Sequence, residues 1–532
     1  MLLFNGKIHT QDENNPFAEA VQISGNKILK IGSNKEISVG ATGNIKEIDL
    51  NGKLVLPGFT DSHIHFFEWA INYDYIDFSM CLSFKDMKKA LLRKVKNKKK
   101  EEWILGYGLN ETSWNDPTTP DRDSLDEILP DNPVCIWRCD LHIGFVNSIA
   151  LKYANIDSNT PDPLNGIISK DSTNRPTGVL KELALNFIKK ILPKLSDDQL
   201  LSNMKQRISD LHRLGITSIH DIRLMGESDE FLPLDAWQRL NEQNKANIRC
   251  HVSLPGERID HAISLGLKTG FGDDRIKIGH LKLFADGGMG ARTAWMLEKY
   301  RDAEYGMPLT SIADIENIVC KAESSSLSVM VHSIGDRANR EIVLMFDRIE
   351  KNNPIRPKIP HRIEHVQMIR PEDILKMGKL KSIVTSCQPN NLNLDISMIE
   401  MSVGEKSKYT YMLKSLLKNG LPLLLNSDTP VCDPNPFLGI YSAVTRKRMD
   451  KTPENGWYIE EALTVDEAVK GYTIAPAIAQ GVGDVTGSIT PGKVADIIVL
   501  DKDIYSIDPD IILDTKIDMT IFDGKIVYER EN

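Results

Sequence analysis

The sequence predicts an α/β protein: a (β/α)8 TIM-like barrel, a β-sandwich domain formed by both chain termini, and a large insertion after the first barrel strand. Three observations lead there. The middle of the 532-residue chain alternates strand-like apolar runs with helical patterns, the signal for a parallel sheet with crossover helices. Both ends are β-rich and punctuated by turn residues instead. The stretch between the first two barrel runs, roughly residues 66–200, is too long for a single helix.

In chain order, residues 2–4, 7–10, 20–23, 28–31 and 45–50 read as short strands. Asn5-Gly6 and Gly25-Asn26 between them are hairpin signals, because Asn and Gly tolerate the positive φ of tight turns. Barrel strands are expected at 55–61, 216–221, 249–254, 278–284, 328–334, 362–366, 382–388 and 421–428. Eight right-handed β/α units close into a barrel whose site lies at the C-terminal ends of its strands. The insertion holds a strand-like run at 134–138, the aromatics Trp69, Trp103, Tyr107, Trp114 and Trp137, and turns such as Asn115-Asp116-Pro117. From about residue 485 the chain is β-like again, with turns at Pro491-Gly492 and Asp523-Gly524. The expected domains are 1–54 with 485–532, and a barrel over 55–484 that includes the insertion.

Composition excludes several classes. A net charge of −9 argues against a nucleic-acid surface, and the lone basic run KVKNKKK (94–100) reads as a solvated helix end. No apolar span reaches the roughly 18 residues of a transmembrane helix. The first residues lack the charged and apolar regions of a signal peptide. Seven scattered cysteines show no disulfide or zinc-site spacing, consistent with reduced thiols in the cytoplasm.

The chemistry begins with His63 and His65. Side chains at i and i+2 of a strand point the same way, so both imidazoles can reach one ion. Lys282, His332, His365 and Asp428 each close a later strand-like run, and the barrel brings all six to one rim. Singly, each has an ordinary reading: a hydrogen-bonded core histidine, a snorkelling lysine, a turn-starting aspartate. Five independent coincidences are less economical than one metal site. Burial lowers the pKa of a lysine such as Lys282. Its neutral amine can add carbon dioxide, and the resulting carbamate can bridge two divalent ions. Imidazole and carboxylate ligands suit zinc.

The segments LPGFTDSHIH (56–65), KLFADGGMGARTA (282–294), VHSIGDRAN (331–339), RIEHVQ (362–367), NSDTPV (426–431) and GSITPGKVADIIVLD (487–501) carry a resemblance. The chain resembles the amidohydrolase superfamily of metal-dependent hydrolases, and within it amidohydrolase family 3, which includes N-substituted formamide deformylases. Looser matches are GYGLNETSW (106–114), DLHIGFVNSIAL (140–151), GVLKELA (178–184) and GITSIHD (215–221). The resemblance implies that His63, His65 and Asp428 bind the more buried metal and that His332 and His365 bind the second. Carboxylated Lys282 would bridge them with the attacking hydroxide. Asp428 would carry the nucleophile's proton to the leaving amine. A homodimer is compatible with the family. Two departures, Gly287-Gly288-Met289-Gly290 after Asp286 and Thr429 after Asp428, bear on substrate shape and remove no ligand.

Further candidates for the substrate cleft are Asn110, His142, Asn147, His220, Arg292 and Trp295. Asp336 reads as a helix cap and Gly492 as a turn glycine. The expected activity is hydrolysis of a non-peptide carbon–nitrogen bond, an amide or N-formyl group, in a small-molecule substrate. Two alternatives remain: a mononuclear deaminase of a heterocyclic amidine, which does not need Lys282, and a non-catalytic binding protein on the same fold.

Overall fold

The computed structural model describes residues 1–38, 45–114, 118–224, 232–353 and 357–531. The turn expected at Asn115-Asp116-Pro117 lies outside them. Eight strands form one sheet in chain order: β1 (Phe59–Ile64), β2 (Ile216–Asp221), β3 (Arg249–Pro255), β4 (Ile276–Phe284), β5 (Val329–Ser333), β6 (His361–His365), β7 (Ile383–Cys387) and β8 (Leu423–Leu425). Each paired neighbour is parallel. The sheet curls until β8 meets β1, where Ser62 Oγ donates to Leu425 O at 3.1 Å and Asp428 N to His63 O at 2.8 Å. The result is a nearly closed TIM-like barrel.

Parallel neighbours need crossover connections, and amphipathic helices supply them. Asp197–Arg213, for example, starts in a Ser196/Gln199 capping box and buries Leu200, Leu201, Met204, Ile208 and Leu211. That spacing is one helical face.

Two predicted strand limits shift. Leu54–Pro57 is not part of the barrel; it pairs with Lys7–His9 and Ile497–Leu500. The chain passes Gly58, where a Cβ would stand 2.2 Å from Thr217 Oγ1, and β1 begins at Phe59. At the far end β8 stops at Leu425, and Asp428 has a φ of 60°, outside any strand conformation.

The chain ends contribute to two sheets. One contains Lys525–Glu529, Ile517–Phe522, Ile497–Leu500, Leu54–Pro57, Lys7–His9 and Phe17–Ala18; the other contains Lys27–Gly32, Ala20–Ser24, Leu2–Phe4 and Glu47–Asp49. One apolar cluster joins them, including Leu3, Val21, Ile23, Val55, Ile497 and Ile521. Asn5-Gly6 is therefore not a hairpin turn: Leu2–Phe4 and Lys7–His9 sit in different sheets, and the pair is the crossing between them. Arg249, at the start of β3, donates to Asp496 (2.7 Å) and Asp523 (3.2 Å) and so ties these sheets to the barrel's N-terminal end. That end is opposite the rim where the candidate ligands lie.

Between β1 and β2 the chain builds a six-stranded sheet of its own: Gly166–Lys170, Pro176–Glu182, Ile143–Val146, Val134–Arg138, Ile104–Leu109 and Ile76–Asp77. The seven cysteines are free, and no helix among the described residues is long and apolar enough to cross a membrane.

Candidate metal centre

β1 delivers His63 and His65 to the same side, with their Nε2 atoms 3.4 and 3.1 Å from Asp428 Oδ1. Ligand atoms of these three residues lie within 4.8 Å of one another. β6 ends in His365, whose φ of 72° takes the chain out of the strand. Its Nδ1 is 3.9 Å from Asp428 Oδ2. The His332 ring, from β5, lies 4.4 Å from that of His365. Lys282, from β4, is buried and makes no hydrogen bond or ion pair among the described residues; its ammonium sits 4.9 Å from the centre of the Phe284 ring.

The second ring nitrogens are committed elsewhere. His63 Nδ1 is 2.5 Å from Glu364 Oε2, His65 Nδ1 2.7 Å from Ile222 O, and His365 Nδ1 3.0 Å from Gln388 Oε1. Such partners fix the tautomer and leave Nε2 as the electron-pair donor. Glu364 is held by Arg362, whose Nε and Nη2 donate to it at 2.7 and 3.0 Å. Burial would raise the Glu364 carboxyl, but Arg362 and His63 hold it well below the usual range.

Electrostatics favour the metal-binding protonation states. Burial, aided by the Lys282 charge, pushes His63 down to about 3. His365 falls to about 4 and His332 well below its ordinary value, again chiefly through burial. Burial opposes ionisation of Asp428, yet His63, His65 and His365 keep it well below the carboxylate range. Lys282 is pushed by burial down to about 8, against the pull of Glu364 and Asp428. Neutral imidazoles with an ionised carboxylate form a ligand set.

A cleft of about 1150 Å³, counting its open mouth, leads to these groups. Its walls combine apolar side chains such as Phe284, Leu309 and Met398 with polar ones from the insertion, Asn110, His142 and Glu182. His142 Nδ1 lies 2.8 Å from Glu182 Oε2; burial would lower this imidazole, but Glu182 raises it to about 9.

A family model described as "Amidohydrolase family" matches residues 46–528. The chain belongs to the amidohydrolase family. It is 31% identical to the putative amidohydrolase YtcJ of Bacillus subtilis, over 99% of this chain and 98% of that one. It is 25% identical to the N-substituted formamide deformylase of Arthrobacter pascens, over 100% and 98% of the two chains. Among solved structures, an uncharacterised metal-dependent hydrolase of Pyrococcus horikoshii matches with a TM-score of 0.75 at 28% identity, covering 96% and 98%.

On this amidohydrolase scaffold, four expected cleft residues lie elsewhere. His220 is buried inside the barrel, with Nδ1 2.7 Å from Arg362 Nη1. Arg292 turns to Asp302, at 2.9 Å. Trp295 stacks under Arg337, at 4.5 Å. Asn147 caps the helix Ser148–Tyr153. Asp336 is no cap: it is the first helical residue, and its carboxylate accepts from Leu297 N and Arg370 Nε. Asp286 bonds the backbone there instead, accepting from Ile334 N and Gly335 N at 3.0 and 2.8 Å.

Sequence reasoning missed Arg362, Glu364 and Glu182. The first two had a signal. Charged residues at i and i+2 of a barrel strand share a face, and in RIEHVQ that face can only point inward. Glu182 had none, since its partner His142 lies 40 positions away.

Proposed function

We propose that the chain hydrolyses a non-peptide carbon–nitrogen bond, an amide or N-formyl group, with divalent metal ions held at the barrel rim. One observation carries this reading. His63 Nε2, His365 Nε2 and Asp428 Oδ1 are buried without a hydrogen-bond partner among the described residues, whereas buried polar atoms are ordinarily satisfied. Orphaned atoms of these types, converging on one spot, fit a divalent cation, and the nitrogen and oxygen donors suit zinc. His63, His65 and Asp428 would hold one ion, and His332 and His365 a second. Lys282, buried and without an ion pair among the described residues, would bridge them as a carbamate.

Bound there, the ions supply Lewis acidity that activates water and polarises a carbonyl. The protein's own part begins with Asp428, whose carboxylate lies within the cluster, able to take a proton from attacking water and return it to the leaving amine. The Arg362–Glu364 pair fixes His63, and Gln388 fixes His365, so the cluster needs little reorganisation. Apolar walls exclude bulk water and receive the body of a small substrate. The deformylase relative supports the bond type by its name, and the Pyrococcus neighbour supports metal dependence by its title.

The test is a hydrolysis screen of zinc-loaded protein against N-formyl amines, N-acyl amino acids, cyclic amides, heterocyclic amidines and esters, with elemental analysis alongside. Turnover of an amide with about two ions per chain is expected. Turnover of amidines alone, with a stoichiometry of one, would establish the deaminase reading. Failure on every class with metal bound would leave a binding protein.

A further inference from the structure

Four acidic side chains line the cleft: Asp140, Glu182, Asp395 and Asp428. Three of them stand against basic groups. Asp140 pairs with Arg138, Glu182 lies 2.8 Å from His142, and Asp428 meets His63 and His65. Asp395 has no ion-pair partner among the described residues. Its hydrogen bonds come from neutral groups, with Tyr411 Oη and Gln367 Nε2 both donating to Oδ2, at 2.5 and 2.7 Å. Oδ1 accepts no hydrogen bond among the described residues.

Asp395 belongs to the first turn of the helix Leu392–Val403, which follows β7. Leu394 and Met398 of the same helix line the cleft beside it, so the carboxylate is set in an apolar wall. Burial pushes its carboxyl up to about 6, while the bonds from Tyr411 and Gln367 and the charge of Arg138 hold it down. Arg138 is itself shared between Glu111 and Asp140. A carboxylate ionised in such a wall carries a desolvation cost, which a cation brought against it offsets.

The carboxylate is also tied to the proposed metal ligands. Gln367 stands two positions after His365, so their Cα atoms are at most ~7 Å apart. Besides holding Asp395, Gln367 Nε2 donates to Tyr411 Oη, and Gln367 O accepts from Tyr411 N, both at 2.9 Å. Asp395 is thereby fixed near the edge of the cluster, in reach of a substituent on a substrate bound there.

We propose that Asp395 is a specificity-determining residue that selects substrates carrying a cationic group, an ammonium or guanidinium, by accepting its hydrogen bond at Oδ1. This names the substrate class of the amide hydrolysis proposed above and rests on that reading. Gln367 and Tyr411 are positioning residues, holding Oδ2 and leaving Oδ1 for the cleft.

The experiment takes the best N-formyl or N-acyl amine from the screen in three forms of equal chain length, ending in an ammonium, a methyl or a carboxylate. Zinc-loaded protein is assayed at a pH well above the Asp395 titration. Wild type should favour the ammonium over the methyl by about 10–100-fold in kcat/KM, the span of a hydrogen bond to a charged group. Asp395→Asn should bring that ratio to within about threefold, and Tyr411→Phe should lose part of it. Zinc content should stay at the wild-type value throughout. Benzylguanidinium, which carries the cation without a cleavable amide, should bind wild type at least about tenfold more tightly than Asp395→Asn in a calorimetric titration. A wild type indifferent to the terminal charge overturns the proposal, whether or not the variants fold. Preference for the carboxylate overturns it in favour of Lys189, which lines the cleft with no ion pair among the described residues. A merely structural Asp395 would lower the melting temperature of Asp395→Asn while leaving charge preference and guanidinium affinity intact, and that result overturns it too. If wild type cleaves no amide, the hydrolase reading fails by itself, and the guanidinium titration still decides whether Asp395 receives a cation.

Discussion

Replacing Glu364 with glutamine isolates what the neighbours of the proposed metal ligands contribute. Glu364 Oε1 accepts from Arg362 Nε, and Oε2 from His63 Nδ1 and Arg362 Nη2, at 2.7, 2.5 and 3.0 Å. Glutamine keeps the shape, but whichever way the amide turns, its NH2 faces a donor. The Arg362 guanidinium, fully buried, then keeps only neutral acceptors: the amide oxygen, His220 Nδ1, Ser62 O and Ser386 Oγ. Breaking a buried pair from one side costs about 3–5 kcal/mol. That loss should appear in urea unfolding measured in chelator. Separately, losing the anionic acceptor on His63 Nδ1 should weaken zinc about 10–100-fold, or ~1.4–2.8 kcal/mol, in a competition titration. Arg362→Met with Glu364→Leu should restore much of the stability, because no charge is stranded, while zinc affinity stays low. Wild-type zinc affinity in Glu364→Gln would refute the orienting role assigned to this carboxylate.

Three further outcomes are expected. Lys282→Ala should lose metal and activity, both partly restored by acetate or propionate. Asp428→Asn should keep much of its metal yet lose about 10²–10⁴-fold in kcat with no such rescue. A Lys282→Ala enzyme at full rate would remove the carbamate, and a near-normal Asp428→Asn would remove the proton carrier. Deleting residues 493–532 strips the strands Ile497–Leu500, Ile517–Phe522 and Lys525–Glu529 and both carboxylate partners of Arg249, so the product should be insoluble; a soluble, active truncation would contradict the shared terminal sheets. His212 is driven by burial from 6.5 down to about 4, only partly offset by its bond to Asn247 O. The unfolded chain binds its proton first, so the contribution is complete above pH 6.5 and is lost as pH falls through about 4. It amounts to roughly 3 kcal/mol. His212→Gln should flatten the urea midpoint across that window, and an unchanged pH slope would show that another group is responsible.

Much of the barrel was legible because its signals are local. Apolar runs of strand length, separated by helical patterns, placed all eight strands, with errors only at the ends of the series. The error at the first strand has a plain cause. Leu54 to Phe59 reads as one apolar run leading into β1, and only the partners Lys7–His9 and Ile497–Leu500 on one side and β2 on the other divide it at Gly58. Asn5-Gly6 misled for the same reason: its dihedral preference is that of a hairpin, but which sheet each flanking strand joins is decided elsewhere.

The sequence by itself determined the element types and the parallel order of the barrel, and it named the candidate metal ligands, since periodicity and side-chain chemistry are carried by a few neighbouring positions. The tertiary structure alone decided which nitrogen of each imidazole is free. His63 receives its orientation from Glu364, 301 positions away, and no local pattern encodes that meeting. It also decided depth along the barrel axis. His220 and His365 both come from strand ends, yet one is sealed beside Arg362 in the interior and the other opens on the cleft. Strand stagger and the positive φ at His365 set that difference, and both follow from how distant strands pack.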